Sequence, residues 1–282
     1  MFRPNYLRLA CNEMVNEGIG NMEESRMDKQ AFWNQRAWNG EYAGTNDLLI
    51  KRLELAELGK QISSGLRILE VGCGNGESAM YFASLFDVRI DAIDFSEGMI
   101  SAANSALEKS PELMDRVRFS VADIKTYSTD SRYDLIYSQR SLINLDIWQE
   151  QKDAIEKILG WLAPSGRFLM CENSIDGLTK INSYRAALGL PAIDPPWHNR
   201  YFVEKEIEQV WVPNCSLEAT HSFSSTYYFL SRVINAALAK QAGEEPKYES
   251  PINLMALQLP PINDCGQTKL WMWRRDATAN SI

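Results

Sequence analysis

The stretch Ile68-Leu69-Glu70-Val71-Gly72-Cys73-Gly74-Asn75-Gly76 is a short apolar run that contains one acid and leads into a glycine-rich turn. A short apolar run that ends at turn residues is typical of a buried strand. Glycine gives the backbone conformations that are closed to other residues and lets it approach a ligand closely. A helical pattern follows from Glu77. The stretch therefore predicts a strand, a tight turn and a helix, with bare backbone available to a ligand at the turn.

Similar strand and helix patterns alternate downstream, which is typical of βαβ units in a parallel sheet. We predict an α/β protein with a doubly wound, Rossmann-like sheet of seven strands. The predicted strands are Arg67–Val71, Val88–Ile93, Val117–Ala122, Tyr133–Ser138, Arg167–Glu172, Leu217–Phe223 and Lys269–Arg274. The predicted helices after the first strand are Glu77–Phe86, Gly98–Lys109, Glu150–Leu162 and Thr226–Ala242.

Regions on either side of this pattern have a different character. Apolar residues at helical spacing predict an N-terminal helical cap over 1–64. The core then covers 65–174. Proline clusters and many aromatic residues interrupt the alternation of strands and helices in 175–282. We predict a substrate lid inserted there, together with the last strands of the core sheet.

Composition excludes several classes of protein. The chain has 282 residues and a net charge of −8, and this acidic balance argues against a nucleic-acid partner. Five scattered cysteines without a C-x-x-C pair predict neither a zinc site nor a disulfide framework, which suits the reducing cytoplasm. No apolar run approaches the roughly 18 residues of a membrane span. We expect a cytoplasmic protein that acts on a small molecule and needs no metal.

Three acids lie at or directly beside the ends of predicted strands: Glu70, Asp94 and Asp123. Doubly wound sheets bind ligands at the carboxyl ends of their strands, where the strand order reverses. Asp94 comes 24 residues after Glu70, the place from which an acid accepts hydrogen bonds from ribose hydroxyls. Glu70 is placed to pair with an ammonium group.

The acid and glycine pattern resembles the first motif of the class I S-adenosylmethionine-dependent methyltransferases, E/D-x-G-x-G-x-G after a first strand. Leu162-Ala163-Pro164-Ser165-Gly166 is also similar to that family's L-x-P-G-G turn, with Ser165 in place of a glycine. The resemblance implies S-adenosylmethionine as the methyl donor and S-adenosylhomocysteine as the product. It implies that the donor contacts Glu70, Gly72, Cys73, Gly74, Gly76, Asp94, Phe95, Ser96, Met99, Asp123, Ile124, Gln139 and Arg140.

Two other interpretations remain open at this point. Gly74-x-Gly76-x-x-Ala79 also fits a dinucleotide fingerprint, so the chain could be an NAD(P)-dependent oxidoreductase. Glu70 before the turn and Asp123 after the third strand favour the methyltransferase. A scaffold that binds S-adenosylmethionine without catalysis is the other alternative.

The acceptor is expected to be a small polar metabolite or sugar that is methylated on oxygen or nitrogen. His198, within Pro195–Phe202, is the first choice for a proton acceptor, with Glu172 and Tyr227 as further catalytic candidates. A histidine that bonds only to its own loop is the alternative for His198. The candidate substrate residues are Arg140, Asn173, Trp197, His198, Arg200 and Tyr228.

Arginines supply the expected contacts to an anionic acceptor. Arg140 and Arg200 are the candidates for holding a carboxylate or phosphate, since the planar guanidinium suits both groups. For Arg36 three interpretations stay open: contact with the donor's carboxylate, contact with an acidic acceptor, and simple solvation.

Overall fold

The computed structural model describes residues 29–277 and confirms the predicted seven-stranded sheet. The strand order is β3-β2-β1-β4-β5-β7-β6, in which β7 runs antiparallel to both of its neighbours and the other paired strands are parallel. The strands are β1 (Arg67–Val71), β2 (Arg89–Asp94), β3 (Val117–Val121), β4 (Tyr133–Gln139), β5 (Leu162–Asn173), β6 (Cys215–His221) and β7 (Thr268–Arg275). Predictions for residues 1–28 and 278–282 lie outside the described residues.

Helices cover both faces of this sheet. They are α1, described over 29–36, α2 (Leu48–Gly59), α3 (Glu77–Leu85), α4 (Glu97–Leu107), α5 (Trp148–Gly160), α6 (Ile175–Ala187), α7 (Glu204–Ile207), α8 (Ser225–Tyr228), α9 (Asn235–Ala242) and α10 (Pro251–Ala256). A π-helical stretch, Phe229–Ile234, joins α8 to α9. Short 3₁₀ turns lie at Gly40–Tyr42, Pro111–Leu113 and Leu142–Asn144.

Two apolar layers bury the central strands. On one face, Ile68 of β1 packs in a cluster with Phe82 of α3 and Ala103 of α4. On the other face, Leu69 of β1 packs in a cluster with Ile155 of α5. Successive residues of a strand point to opposite faces, and both faces are covered, so β1 is a nearly continuous apolar run.

The sequence patterns missed or misplaced some elements beyond the fourth strand. Helix α6 was not predicted, because two of its four buried residues, Gly177 and Arg185, do not belong to an apolar pattern. Gly177 in α6 passes so close to another loop that a Cβ atom there would lie 2.2 Å from the Gly266 carbonyl oxygen. Strand β5 begins at Leu162, so the turn expected at 162–166 belongs to the strand. The lid expected in 175–282 stays a prediction.

Within residues 29–277, no helix combines the length and the apolar character needed to cross a bilayer.

Candidate functional site

A cavity of about 160 Å³ opens at the carboxyl ends of β1, β2 and β4. Parallel strands bring their carboxyl ends to one edge of the sheet, so side chains distant in the sequence meet there. The cavity is lined by eleven of the residues that the sequence predicts for the donor: Glu70, Gly72, Cys73, Gly74, Asp94, Phe95, Met99, Asp123, Ile124, Gln139 and Arg140. We call it the donor cavity.

The glycine-rich turn forms one wall of the donor cavity. Gly72 has a φ of 75° and Gly74 a φ of 53°, a backbone region that side chains other than glycine rarely adopt. A Cβ atom on Gly72 would lie 1.8 Å from the Ser141 Oγ, so the loop after β4 packs directly against the turn. The Gly74 N–H donates to Asp94 Oδ2 at 2.9 Å, and this bond ties the turn to the end of β2.

Two of the predicted donor residues lie outside the lining of this cavity. Gly76 has a φ of 81°, and a Cβ atom there would lie 2.4 Å from Phe119 and 2.9 Å from Ala103. Its small size therefore serves the packing of the turn against β3 and α4. Ser96 caps α4, since its Oγ accepts from the Met99 N–H at 3.1 Å. A serine directly before a helical run is the usual sequence signal for such a cap.

Glu70 is a buried carboxylate that lines the donor cavity. The Ser78 hydroxyl donates to its Oε1, and the neighbouring Tyr137 hydroxyl also favours the charged form. Burial nevertheless raises the pKa of Glu70 to about 7, and the nearby charge of Asp94 adds to this effect. A buried carboxylate is costly without an opposite charge, so a cationic group beside Glu70 in the cavity would be favoured.

Asp94 is held rigidly at the end of β2. Its Oδ2 accepts from Gly74 and its Oδ1 accepts from the Ser96 N–H, both at 2.9 Å. Burial nevertheless raises the pKa of Asp94 to about 6, although these backbone bonds favour the charged form. The carboxylate keeps lone pairs that can accept from hydroxyl groups in the cavity.

The helix α1 lies over the donor cavity, and we call it the cover helix (29–36). Lys29 forms an ion pair with Asp146 and donates to the Asn144 carbonyl at 2.9 Å. The Trp33 Nε1 donates to Asn144 Oδ1 at 3.2 Å, and Gln30 donates to the Phe95 carbonyl at 3.3 Å. Lys29 and Trp33 line the cavity. The sequence gave no signal that Lys29 would line this cavity.

A second cavity of about 260 Å³ adjoins the first, and we call it the acceptor cavity. Trp33, Gly44 and Arg140 line both cavities. Of the predicted substrate residues, Arg140, Asn173, His198 and Tyr228 line it. Lining residues that the sequence did not indicate include Asn46, Asp47, Asn199, Tyr201, Arg232, Tyr248 and Gln267.

Arg140 lies at the boundary of the two cavities and forms an ion pair with a buried acid, Glu54. Its backbone has a φ of 51°, and its Nε lies 3.1 Å from Glu54 Oε2. The Gln139 amide donates to the same oxygen at 2.7 Å, and Arg140 Nη1 donates to the Gly44 carbonyl at 3.2 Å. Burial raises the pKa of Glu54, although Arg140 and Gln139 oppose this.

A second buried pair closes the far side of the acceptor cavity. The Arg232 Nη2 donates to Asp47 Oδ2 at 2.6 Å, and the Tyr227 hydroxyl donates to Asp47 Oδ1 at 2.7 Å. Asp47 also caps α2 by accepting from the N–H groups of Leu49 and Ile50. Tyr227 therefore braces Asp47 and does not line either cavity.

His198 lies in an aromatic cluster at the wall of the acceptor cavity. Its ring centroid is 4.7 Å from that of Phe32 and 5.3 Å from those of Trp33 and Trp197. The Nδ1 atom is buried without a hydrogen-bond partner in residues 29–277. Burial, followed by the charges of Lys29 and Arg36, lowers the pKa of His198 to about 4, so the ring is neutral at neutral pH.

The remaining predicted residues have other contacts and lie outside both linings. Glu172 is fully buried, and its Oε1 accepts from Ser138 Oγ at 2.8 Å and from the Ser141 and Leu142 N–H groups at 3.0 Å. Arg200 donates to both oxygens of Glu206 at 2.8 Å. Trp197 is 62% exposed and packs its ring edge against Phe32 and His198.

Known proteins resemble this chain most clearly in the part that builds the donor cavity. Residues 68–166 match a family model described as a methyltransferase domain. A phosphoethanolamine N-methyltransferase of Arabidopsis thaliana is 35% identical over 112 residues, which are 39% of this chain and 22% of that protein. An O-methyltransferase of Aspergillus nomiae is 32% identical over 123 residues, or 43% of this chain and 53% of that protein. The chain thus matches between about a fifth and a half of the length of these two relatives.

A solved structure resembles the whole fold more broadly. The N-methyltransferase NodS from Bradyrhizobium japonicum, in complex with S-adenosyl-L-homocysteine, superposes with a TM-score of 0.54. The match covers 86% of this chain and 96% of that one at 14% sequence identity. At this identity the likeness concerns the fold alone.

Proposed function

We propose that this chain, which contains a class I S-adenosylmethionine-dependent methyltransferase domain, transfers a methyl group from S-adenosylmethionine to an oxygen or nitrogen of a small polar molecule. The observation that carries the proposal is Glu70, a buried carboxylate that lines the donor cavity and has no cation paired with it in residues 29–277. The matched methyltransferase domain covers the turn and the strand ends that build this cavity.

The residues of the donor cavity suit the donor's chemical groups. Glu70 would pair with its ammonium group, and Asp94 would accept from its ribose hydroxyls. Phe95 and Met99 line the cavity and offer apolar surface to the adenine, while Asp123 lies at the third strand end. When bound, the donor supplies a methyl group on a positively charged sulfur.

The boundary between the cavities is where the two reactants would meet. Methyl transfer is an in-line displacement, and most of its rate can come from alignment and closeness of the reactants. Trp33, Gly44 and Arg140 line both cavities and would set this alignment. Arg140 is fixed by Glu54, so its position is established before the acceptor binds.

The acceptor cavity favours a molecule that donates hydrogen bonds. His198 Nδ1 and Asn199 Oδ1 are both buried without described partners, and both residues line the cavity. A hydroxyl or amine nucleophile must lose a proton during the reaction. Neutral His198 is the proposed proton acceptor, because Glu172 and Tyr227 use their oxygens in bonds outside the cavity.

Calorimetry with S-adenosylhomocysteine and with NAD⁺, followed by a search for methylated products among small hydroxyl and amine compounds, tests the proposal. We expect the first ligand to bind, NAD⁺ to fail, and a product to appear. Preferential binding of NAD⁺ would support the oxidoreductase instead. Binding without product across a broad acceptor panel would support a scaffold.

A further inference from the structure

The acceptor cavity carries three arginines, and two of them are neutralised by the protein itself. Arg140 pairs with Glu54 and Arg232 pairs with Asp47, and both acids are buried. Neither arginine therefore has an uncompensated charge to offer an acceptor. Arg200, the other arginine that the sequence suggested for this task, pairs with Glu206 outside the cavity.

Arg36 is the exception among the arginines of this cavity. Its Nε donates to the Ala43 carbonyl at 2.9 Å, and its Nη2 donates to the Tyr42 carbonyl at 2.6 Å and to Asn46 Oδ1 at 3.2 Å. All three partners are neutral. Within residues 29–277, Arg36 pairs with no carboxylate, and its Nη1 has no hydrogen-bond partner.

The surroundings of Arg36 also indicate the shape of a ligand. The guanidinium carbon lies 5.7 Å from the centroid of the Phe32 ring, which lines the cavity together with Trp33, His198 and Tyr228. Such rings bury flat apolar bodies well. The remaining guanidinium nitrogen of Arg36, Nη1, can donate a charge-assisted hydrogen bond to a carboxylate oxygen.

We propose that Arg36 binds the carboxylate of the methyl acceptor, and that this acceptor is an acid carried on a flat ring. This assignment rests on the proposed function and deepens it by naming the substrate class. Arg36 thereby becomes the residue that selects an acid over its neutral amide. Its three contacts to neutral oxygens hold the guanidinium in place before the carboxylate arrives.

The two histidines of this chain make a direct test possible. Benzoate is titrated into the complex with S-adenosylhomocysteine at pH 7.5, and the ring protons of both histidines are followed by NMR. His198 lines the acceptor cavity, whereas His221 lies outside both linings and contacts Glu57 at 3.0 Å. We expect benzoate to shift the His198 signal to saturation and to leave His221 unchanged, while benzamide has little effect.

Variants of Arg36 separate its charge from its role in the turn. Arg36→Gln should weaken benzoate binding by about tenfold or more, the effect of losing one charge-assisted contact. Arg36→Lys keeps the charge but loses the three contacts that hold the guanidinium in place, and its affinity should lie between those of the parent and Arg36→Gln. Arg132→Gln is the control, because the exposed Arg132 donates to two backbone carbonyls and lies outside both linings.

Calorimetry with S-adenosylhomocysteine on the same variants completes the test. The inference predicts unchanged affinity for this ligand in Arg36→Gln. A comparable loss of affinity would assign Arg36 to the donor and overturn the inference, as would equal responses to benzoate and benzamide. If the parent protein itself did not bind S-adenosylhomocysteine, the proposed function would fail. This binding is measured before benzoate is added, so failure of the proposed function is distinguished from failure of the inference about Arg36.

Discussion

Glu70 is the residue whose protonation state should affect binding of the proposed methyl donor most directly. Its pKa is raised to about 7 by burial, so a large fraction of the carboxyl is protonated at neutral pH in the free protein. A cationic ammonium prefers the ionised form, and binding therefore competes with protonation. The affinity for the donor should be highest about one pH unit above this pKa and should fall as the pH drops through it.

This competition gives a signed prediction for the pH dependence of S-adenosylhomocysteine binding. Below the pKa of a required carboxylate, the affinity falls about tenfold for each pH unit. We expect a decline from pH 8 to pH 5.5, with Asp94 contributing as the pH approaches its own pKa of about 6. Calorimetry across this range checks it. Glu70→Gln should bind more weakly at pH 8 and show a flatter profile, and a parent profile without slope would refute the role of Glu70.

His198 gives a second prediction at the same scale. His198→Gln should lower kcat by about 10²-fold or more if the ring accepts the proton of the nucleophile, since general-base catalysis contributes about that much. The affinity for S-adenosylhomocysteine should not change. His221→Gln is the control, because it alters the other histidine of the chain. Turnover of His198→Gln equal to that of the control at every pH would rule out His198 as the base.

Single residues were predictable from the sequence where a strand end fixes their place. Glu70, Asp94 and Asp123 lie at or within two residues of a strand end, so the topology brings them to one edge. Arginines are different, because their long side chains reach partners that the sequence does not reveal. Arg140 and Arg200 looked free to bind an anion, and only the structure shows Glu54 and Glu206 beside them.

At the scale of secondary structure, α2 does more than cover the sheet. It carries Asp47 at its N-cap and Glu54 in its middle, and each acid fixes one arginine of the acceptor cavity. Glu57 of the same helix is buried as well, and buried acids are unusual because charged groups are rarely buried unless they are paired. Helix α2 thus fixes two arginines that line the acceptor cavity.

Removal of Glu54 should therefore destabilise the protein and disorder the boundary between the cavities. Glu54→Ala leaves Arg140 as a charge without its partner, and breaking a buried pair in this way costs about 3–5 kcal/mol of unfolding free energy. Urea denaturation measures this. Glu108→Ala, a change at an exposed glutamate, should stay within about 0.5 kcal/mol of the parent. A Glu54 variant as stable as this control would show that the pair contributes little.

Elements after β5 were harder to predict, because long-range contacts and not local residue spacing determine where their helices begin and end. The segment Thr226–Ala242 was predicted as one helix, and its interruption by π-helical turns at 229–234 has no evident sequence signal. This interruption carries Arg232, whose guanidinium lies 5.3 Å from the Tyr228 ring centroid. Such interruptions often occur at functional sites.

At the scale of the whole molecule, the two cavities differ in how the chain builds them. Most of the donor cavity comes from the alternating strands and helices between residues 70 and 150, where local patterns determine the geometry. The acceptor cavity collects side chains from residue 32 to residue 267. The donor site could therefore be predicted from the sequence, and most of the acceptor site could not.

The shared boundary gives a prediction at this scale. A Cβ atom on Gly44 would meet no atom within 4 Å, so Gly44→Val should fold normally. Its methyl groups would nevertheless enter the boundary and displace the acceptor from the line of attack. A misplacement of about 1 Å can cost about 10²-fold in rate.

The rate of methylated product formation checks this prediction, with Gly160→Val as the matched control. A Cβ atom on Gly160 also meets nothing within 4 Å, and Gly160 lies outside both linings. We expect the Gly160 variant to work at the parent rate. Equal rates in the two variants would place methyl transfer away from Gly44.

The cover helix (29–36) has a kinetic consequence. It lies across the donor cavity and is fastened through Lys29 and Trp33 to the loop at 144–146. If the proposed cofactor enters and leaves past this helix, those contacts would have to open, and each catalytic cycle would include this movement besides the chemistry. Turnover at saturating substrate would then follow the opening frequency of this helix, and the spent cofactor would act as a slowly departing inhibitor.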